Sequence, residues 1–276
     1  MQSGMTGAAP AGRWSDLRLR ILSAAILAPL ALACIWVGST WFAAFVMLAS
    51  IVLGLEWLSL CRWRLSPLSL AIFASLPIAI VATAGHAVLA GLAILAMAFA
   101  LALLLTRRAG AHSLASLGVP YLGLACVALV WLREATGAGR ANVITLLLIV
   151  WASDIGAYVA GRAVGGPKLA PRISPGKTVS GAIGGLLAAM AVGVFAALHT
   201  GINPPWRSAL LAMLVGCIAQ AGDLFESALK RRFGVKDSGR LIPGHGGALD
   251  RLDALIAAAP FAALLALILG GGVVIW

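Results

Sequence analysis

Of the nine acidic residues in the chain, five lie in one polar stretch from Gly222 to Asp253: Asp223, Glu226, Asp237, Asp250 and Asp253. Lys230, Arg231, Arg232, Lys236, Arg240, His245 and Arg251 are mixed among them, with glycines between. Carboxylates can hold a hard cation, bases can hold phosphate oxygens, and glycines let backbone N–H groups come close. The stretch therefore points to divalent-metal and polyphosphate chemistry.

Asp223, Ser227 and Lys230 stand at i, i+4 and i+7 and share one helix face, with Glu226 at its border. An ionisable group within an apolar helix costs about 2.5–3.5 kcal/mol on insertion scales, so it faces an aqueous cavity or a partner. The plainer alternative is a structural Asp223–Lys230 pair. Asp250 and Asp253 open the last helix, where the helix dipole favours carboxylates in any case. Joined by Asp223, they would form a Mg²⁺ site, since that ion takes one or two protein carboxylates and completes its shell with water and phosphate. His245, in Gly244-His245-Gly246-Gly247, is either a solvated loop residue or a phosphate contact.

A second polar segment lies upstream. Asp154 and Tyr158 share a face, with Gly161 a turn further along. Asp154 is either functional or a hydrogen-bonded carboxylate that locks helices together. The segment 161–178 ends in Ser174-Pro175-Gly176-Lys177-Thr178 and opens another helix, an arrangement suited to an anion. It is not a phosphate loop of the GxxxxGK[ST] type, because the glycine required ahead of Gly176 is absent.

These groups must be positioned by membrane helices. Apolar residues make up 62% of 276 positions and charged residues 11%, a surface water could not solvate. The chain reads as an all-α, polytopic integral membrane protein. Apolar runs predict about nine spans: 21–37, 41–58, 68–84, 87–105, 119–132, 143–160, 179–198, 208–229 and 254–275. Residues 1–20 form a polar N-terminal segment, 21–135 the N-terminal spans, and 136–276 a catalytic region with polar loops 161–178 and 230–253. The polar start followed by an apolar run also has the layout of a signal peptide. Its near-spanning length favours a retained first helix.

The net charge of +11 reflects topology rather than nucleic-acid binding. With the N-terminus in the cytoplasm, Arg133, Arg140 and Arg207 fall outside and the other seventeen of the twenty basic residues inside. This places the protein in the inner (cytoplasmic) membrane as a multi-pass chain, with the polar loops facing the cytoplasm. Cys34, Cys61, Cys126 and Cys217 show no paired spacing and read as small hydrophobes. Small residues such as Ser180 to Gly185 suit close helix packing in lipid.

At these residues the chain resembles the phosphatidate cytidylyltransferases, or CDP-diacylglycerol synthases. Ser227, Leu229, Lys230, Arg231, Lys236, Asp237, Gly239, Ile242, Pro243, His245, Gly246, Gly247, Asp250, Arg251, Leu252 and Asp253 stand at the spacing of that family's signature. The segment from Asp154 to Gly185 is also similar. Ala248 replaces a bulkier aliphatic, and Ser180 stands where Glu or Gln is frequent. The resemblance implies transfer of CMP from CTP to phosphatidate, with Mg²⁺ held by Asp223 and Asp250, and a homodimer. Lys230, Lys236, Arg251 and His245 would contact the triphosphate. Ser174, Lys177 and Thr178 would hold a second phosphate, with Asp154, Asp237 and Asp253 as further ligands or orienters. Rival readings are a CTP-using lipid kinase and a cation transporter. No internal repeat favours the transporter.

Overall fold

The computed structural model describes residues 12–108, 113–134, 137–202, 204–239 and 246–269. Ten α-helices run in order: α1 (Gly12–Val37), α2 (Ser39–Leu60), α3 (Pro67–Phe73), α4 (Ser75–Ala84), α5 (Val88–Arg108), α6 (Gly118–Glu134), α7 (Gly139–Val164), α8 (Val179–Thr200), α9 (Pro205–Arg232) and α10 (Leu249–Ile268). Between α7 and α8 lies a hairpin of β1 (Lys168–Ala170) and β2 (Ser174–Thr178), paired antiparallel with Lys168 opposite Thr178 and Ala170 opposite Ser174.

Among the described residues, seven helical segments are long and apolar enough to cross a membrane, against the nine expected. Two expected spans fall short. The apolar part of α1 with described side chains is Ala25–Val37, and α6 has 17 residues. Yet α6 connects both ends of the bundle. Near its start Trp57 Nε1 donates to the Ala115 carbonyl at 3.0 Å, and near its end Arg133 Nε donates to the Ile35 carbonyl at 2.8 Å. The third span is broken into α3 and α4. Pro77 lies four residues after Phe73, and its ring lacks the N–H that would continue the ladder to that carbonyl. Ser66 and Ser69 close a reciprocal capping box ahead of it. Other boundaries also move: α7 continues to Val164, the segment expected as a loop holds the hairpin, and α10 starts at Leu249.

Apolar side chains cover the outside, including Leu89 at 78%, Met97 at 69% and Phe195 at 68% exposure, as expected of a surface solvated by lipid. The interior of the C-terminal half is lined by small residues instead. A Cβ added to Gly185 would lie 2.6 Å from the Ser153 carbonyl oxygen, and one on Gly156 2.8 Å from that of Gly184. The α7 and α8 backbones therefore touch, and α8 presents this face because its glycines repeat at helical spacing. Gly185→Val should force them apart and lower stability by about 1–3 kcal/mol, measured by thermal denaturation in detergent. A wild-type melting curve would contradict the packing described.

The ends of the helices gather the polar groups. The C-terminal ends of α7 and α9 lie with the N-terminal ends of α8 and α10, and the end of α2 joins them through contacts to Phe233 and Leu249. Arg133 and Arg140 contact Ile35 and Trp36 at the opposite end.

Candidate active site

The site is organised by α9. Asp223 forms an ion pair with Lys177 of β2, and Ser227 Oγ donates to Asp223 Oδ1 at 3.4 Å. Seven residues on, Lys230 Nζ donates to Asp250 Oδ1 at 2.6 Å and lies 3.1 Å from Glu226 Oε1. Asp223 and Lys230 therefore bond to other elements rather than to each other. About 10 Å of helix rise separates them, and each is met by a closer partner.

Lys177 reaches α9 because the hairpin folds back over it. Arg231 Nε donates to the Ile173 carbonyl at 3.4 Å, and the Val179 N–H donates to the Pro167 carbonyl at 3.0 Å. Thr178 is the N-cap of α8: its Oγ1 accepts from the Gly181 N–H at 3.1 Å, and the residue is buried. Its hydroxyl oxygen thus caps the helix end. Ser180 donates to the Gly165 carbonyl and ties the α7 exit to α8. Ser174 sits half-buried at the start of β2, paired with Ala170.

These elements enclose a cleft of about 570 Å³, bordered by Asp154, Tyr158, Arg162, Lys177, Gln220 and Asp223. Its size is that of a small-molecule site. Gln220 is held in place by donating to Ser153 Oγ at 3.2 Å and to the Ala182 carbonyl at 3.1 Å. The lining combines an aromatic ring, an amide, two carboxylates and two cations, a set able to hold a charged polar ligand.

The second half of the site lies at the start of α10. Asp250 Oδ2 accepts from the Ser238 N–H and the Ser238 hydroxyl, both at 2.9 Å, and from the Gly247 N–H at 3.0 Å. Asp250 thereby fixes the segment before its own helix while keeping Oδ1 on Lys230. Asp253, one turn further, accepts from the Ala254 N–H at 2.8 Å and lies within electrostatic reach of Asp223 and Asp154. Glu226 is fully buried between these groups. Both of its oxygens lack a hydrogen bond, and its 3.1 Å approach to Lys230 is charge attraction rather than a directed bond. Lys236, Asp237 and Arg251 are exposed. His245 lies outside the described residues.

The structure thus brings Asp154, Asp223, Glu226, Asp250 and Asp253 into one neighbourhood with Lys177 and Lys230. Among the described residues, no three His, Cys, Asp or Glu side chains are disposed to hold a metal ion. Sequence reasoning did not single out Gln220, Ser238 or Glu56. Glu56 of α2 was detectable as an acidic residue inside the apolar run 41–58, a placement that calls for a buried partner.

The chain is similar to known proteins along most of its length. The profile of the Cytidylyltransferase family matches residues 18–269. Proteins called phosphatidate cytidylyltransferase from Brucella suis and Brucella abortus are each 41% identical over 250 residues, 89% of this chain and 91% of the relative. One of that name from Staphylococcus saprophyticus is 39% identical over 145 residues, 52% of this chain and 55% of its own length.

Proposed function

The chain belongs to the cytidylyltransferase family, and on that premise we infer that it transfers CMP from CTP to phosphatidate, giving CDP-diacylglycerol and pyrophosphate. The likeness to the Brucella proteins over about nine-tenths of both chains carries this reading. The acidic and basic groups gathered at one end of a lipid-facing bundle support it, because the two substrates meet at such an interface.

In the reaction, a phosphate oxygen of phosphatidate attacks the α-phosphorus of CTP in line. The α–β phosphoanhydride bond breaks, and pyrophosphate leaves with the electron pair. The lipid phosphate is already an anion, so no strong general base is needed. The difficulty is electrostatic: two anions must approach, and charge must be neutralised on the leaving group. Lys230 is held by Asp250 and Glu226, so its ammonium is fixed in direction. Lys236 and Arg251, both exposed, would meet the triphosphate, and His245 is assigned the same role from the sequence. Lys177, opposite Asp223 in the cleft, holds the second phosphate. Ser174 stands at the start of the same strand, and Thr178 serves that strand through its cap.

Carboxylate oxygens are the donors a hard divalent cation takes. Asp223 pairs with Lys177, Glu226 and Asp250 pair with Lys230, and both Glu226 oxygens lack a directed hydrogen bond. Asp223, which opens onto the cleft, and Asp250 would hold Mg²⁺, with Asp154, Asp237 and Asp253 beside them as ligands or orienters. When bound, the ion would neutralise phosphate charge and align the reacting groups. Orientation toward the cytoplasm and residence in the inner membrane rest on the distribution of basic residues. The homodimer rests on the resemblance and is tested by the mass of the solubilised protein.

The deciding experiment incubates the purified protein with phosphatidate, Mg²⁺ and CTP labelled on the α-phosphate, then extracts the lipid. Label in the lipid supports the transfer. Lipid labelled from γ-labelled CTP instead would identify a kinase and overturn it.

A further inference from the structure

Glu56 ties the N-terminal half of the bundle to the start of α10. Glu56 of α2 is 5% exposed, and its carboxylate accepts from the Ala248 N–H at 3.0 Å and the Leu249 N–H at 2.8 Å. These amides belong to the first turn of α10, whose own N-cap, Ala248, has no side-chain oxygen to offer. A carboxylate 192 positions away instead satisfies two unpaired amides of a helix end that lacks the usual local Ser, Thr, Asp or Asn. It does so with charge-assisted bonds and with its charge set at the positive end of the helix dipole.

The surroundings are shaped to admit it. A Cβ on Gly239 would lie 2.7 Å from Glu56 Oε1, and one on Gly247 2.7 Å from Glu56 Oε2. Six residues beyond Glu56, just past the end of α2, Arg62 Nη2 donates to the Phe233 carbonyl at 3.2 Å, at the C-cap of α9. Arg62 has φ of 51°, unusual for a residue with a side chain. The end of α2 and the turn after it therefore hold the C-cap carbonyl of α9 and the first amides of α10. Lys230 and Asp250 stand just inside those two helix ends, and their 2.6 Å contact bridges them.

We propose that Glu56 is a positioning residue for the transfer reaction: by capping α10 from α2 it sets where Asp250, and through it Lys230, stand relative to the reacting phosphates. The inference rests on the reading that these two residues act on phosphate. Glu56 touches no substrate; it acts through the backbone of Ala248 and Leu249.

The test compares wild type with Glu56→Ala and Glu56→Gln in three measurements: steady-state kinetics in both substrates, thermal denaturation in detergent, and hydrogen–deuterium exchange at the Ala248 and Leu249 amides. A misplacement on the order of 1 Å lowers turnover by about 10²-fold. For Glu56→Ala we expect a kcat loss of that size, with the KM for phosphatidate within about threefold of wild type. Exchange should quicken at the two amides and stay unchanged in α7 and α8. Glu56→Gln keeps one acceptor oxygen and should recover part of the loss. The proposal is overturned if kcat stays at the wild-type level, or if activity falls only in step with global melting and exchange rises throughout the chain. If Glu56→Ala does not fold, Glu56→Gln decides: a wild-type rate with unchanged exchange at Ala248 and Leu249 overturns the proposal. A wild-type protein that moves no α-label into lipid would instead sink the functional reading, and the exchange measurement would still report on the tether.

Discussion

Asp250→Asn should lower turnover by about 10²–10³-fold while leaving the protein folded. Oδ2 of Asp250 receives three donors, two from Ser238 and one from Gly247. An asparagine carbonyl oxygen can stay there and keep the segment before α10 in place. The amide NH₂ must then face Lys230, donor against donor, where the carboxylate held the ammonium at 2.6 Å. Lys230 loses its directed partner, and the carboxylate proposed to share a cation with Asp223 is neutralised. Turnover with phosphatidate and CTP, measured beside a melting curve, checks this. A near-normal rate in a folded variant would remove Asp250 from the mechanism.

Lys230→Met has the second large effect, and it falls on stability as well as on rate. Glu226 is fully buried, and Lys230 is the cation paired with it. Methionine conserves the volume and removes the charge, leaving Glu226 and Asp250 without a counter-ion. Breaking a buried pair in this way costs about 3–5 kcal/mol. The melting midpoint should drop by roughly 2–4 °C for each of those kcal/mol, with turnover lost. The double variant Glu226→Gln/Lys230→Met separates the two effects. It removes the stranded carboxylate and should regain most of the stability but none of the turnover. A single variant that melts like wild type would mean that Glu226 does not depend on Lys230.

These predictions turn on contacts between segments far apart in the chain, and that is where sequence reasoning stopped. The face of Asp223, Ser227 and Lys230 was readable because helical periodicity is local. Their partners were not: Lys177 meets Asp223 only because the hairpin folds over α9, and Lys230 meets Asp250 because α9 and α10 converge. Residues 161–178 read as an anion-binding loop without strands, since Pro and Gly conceal the pairing of so short a hairpin. Thr178 read as a phosphate contact, and only the fold shows that its hydroxyl oxygen also caps α8 at the edge of the cleft. Glu56 carried no local signal of what it would bind.

By itself, the order of residues determined the membrane class, the side on which positive charge collects, and the polar stretches where chemistry is placed. Each of these depends on composition or on spacing within one helix, and the scarcity of charge makes every buried carboxylate conspicuous. Tertiary structure alone decided which carboxylate meets which lysine, and that α2 caps α10. Such pairings are set by helix packing, where small residues at α7–α8 and α9–α10 bring backbones together and fix distances that no linear pattern records.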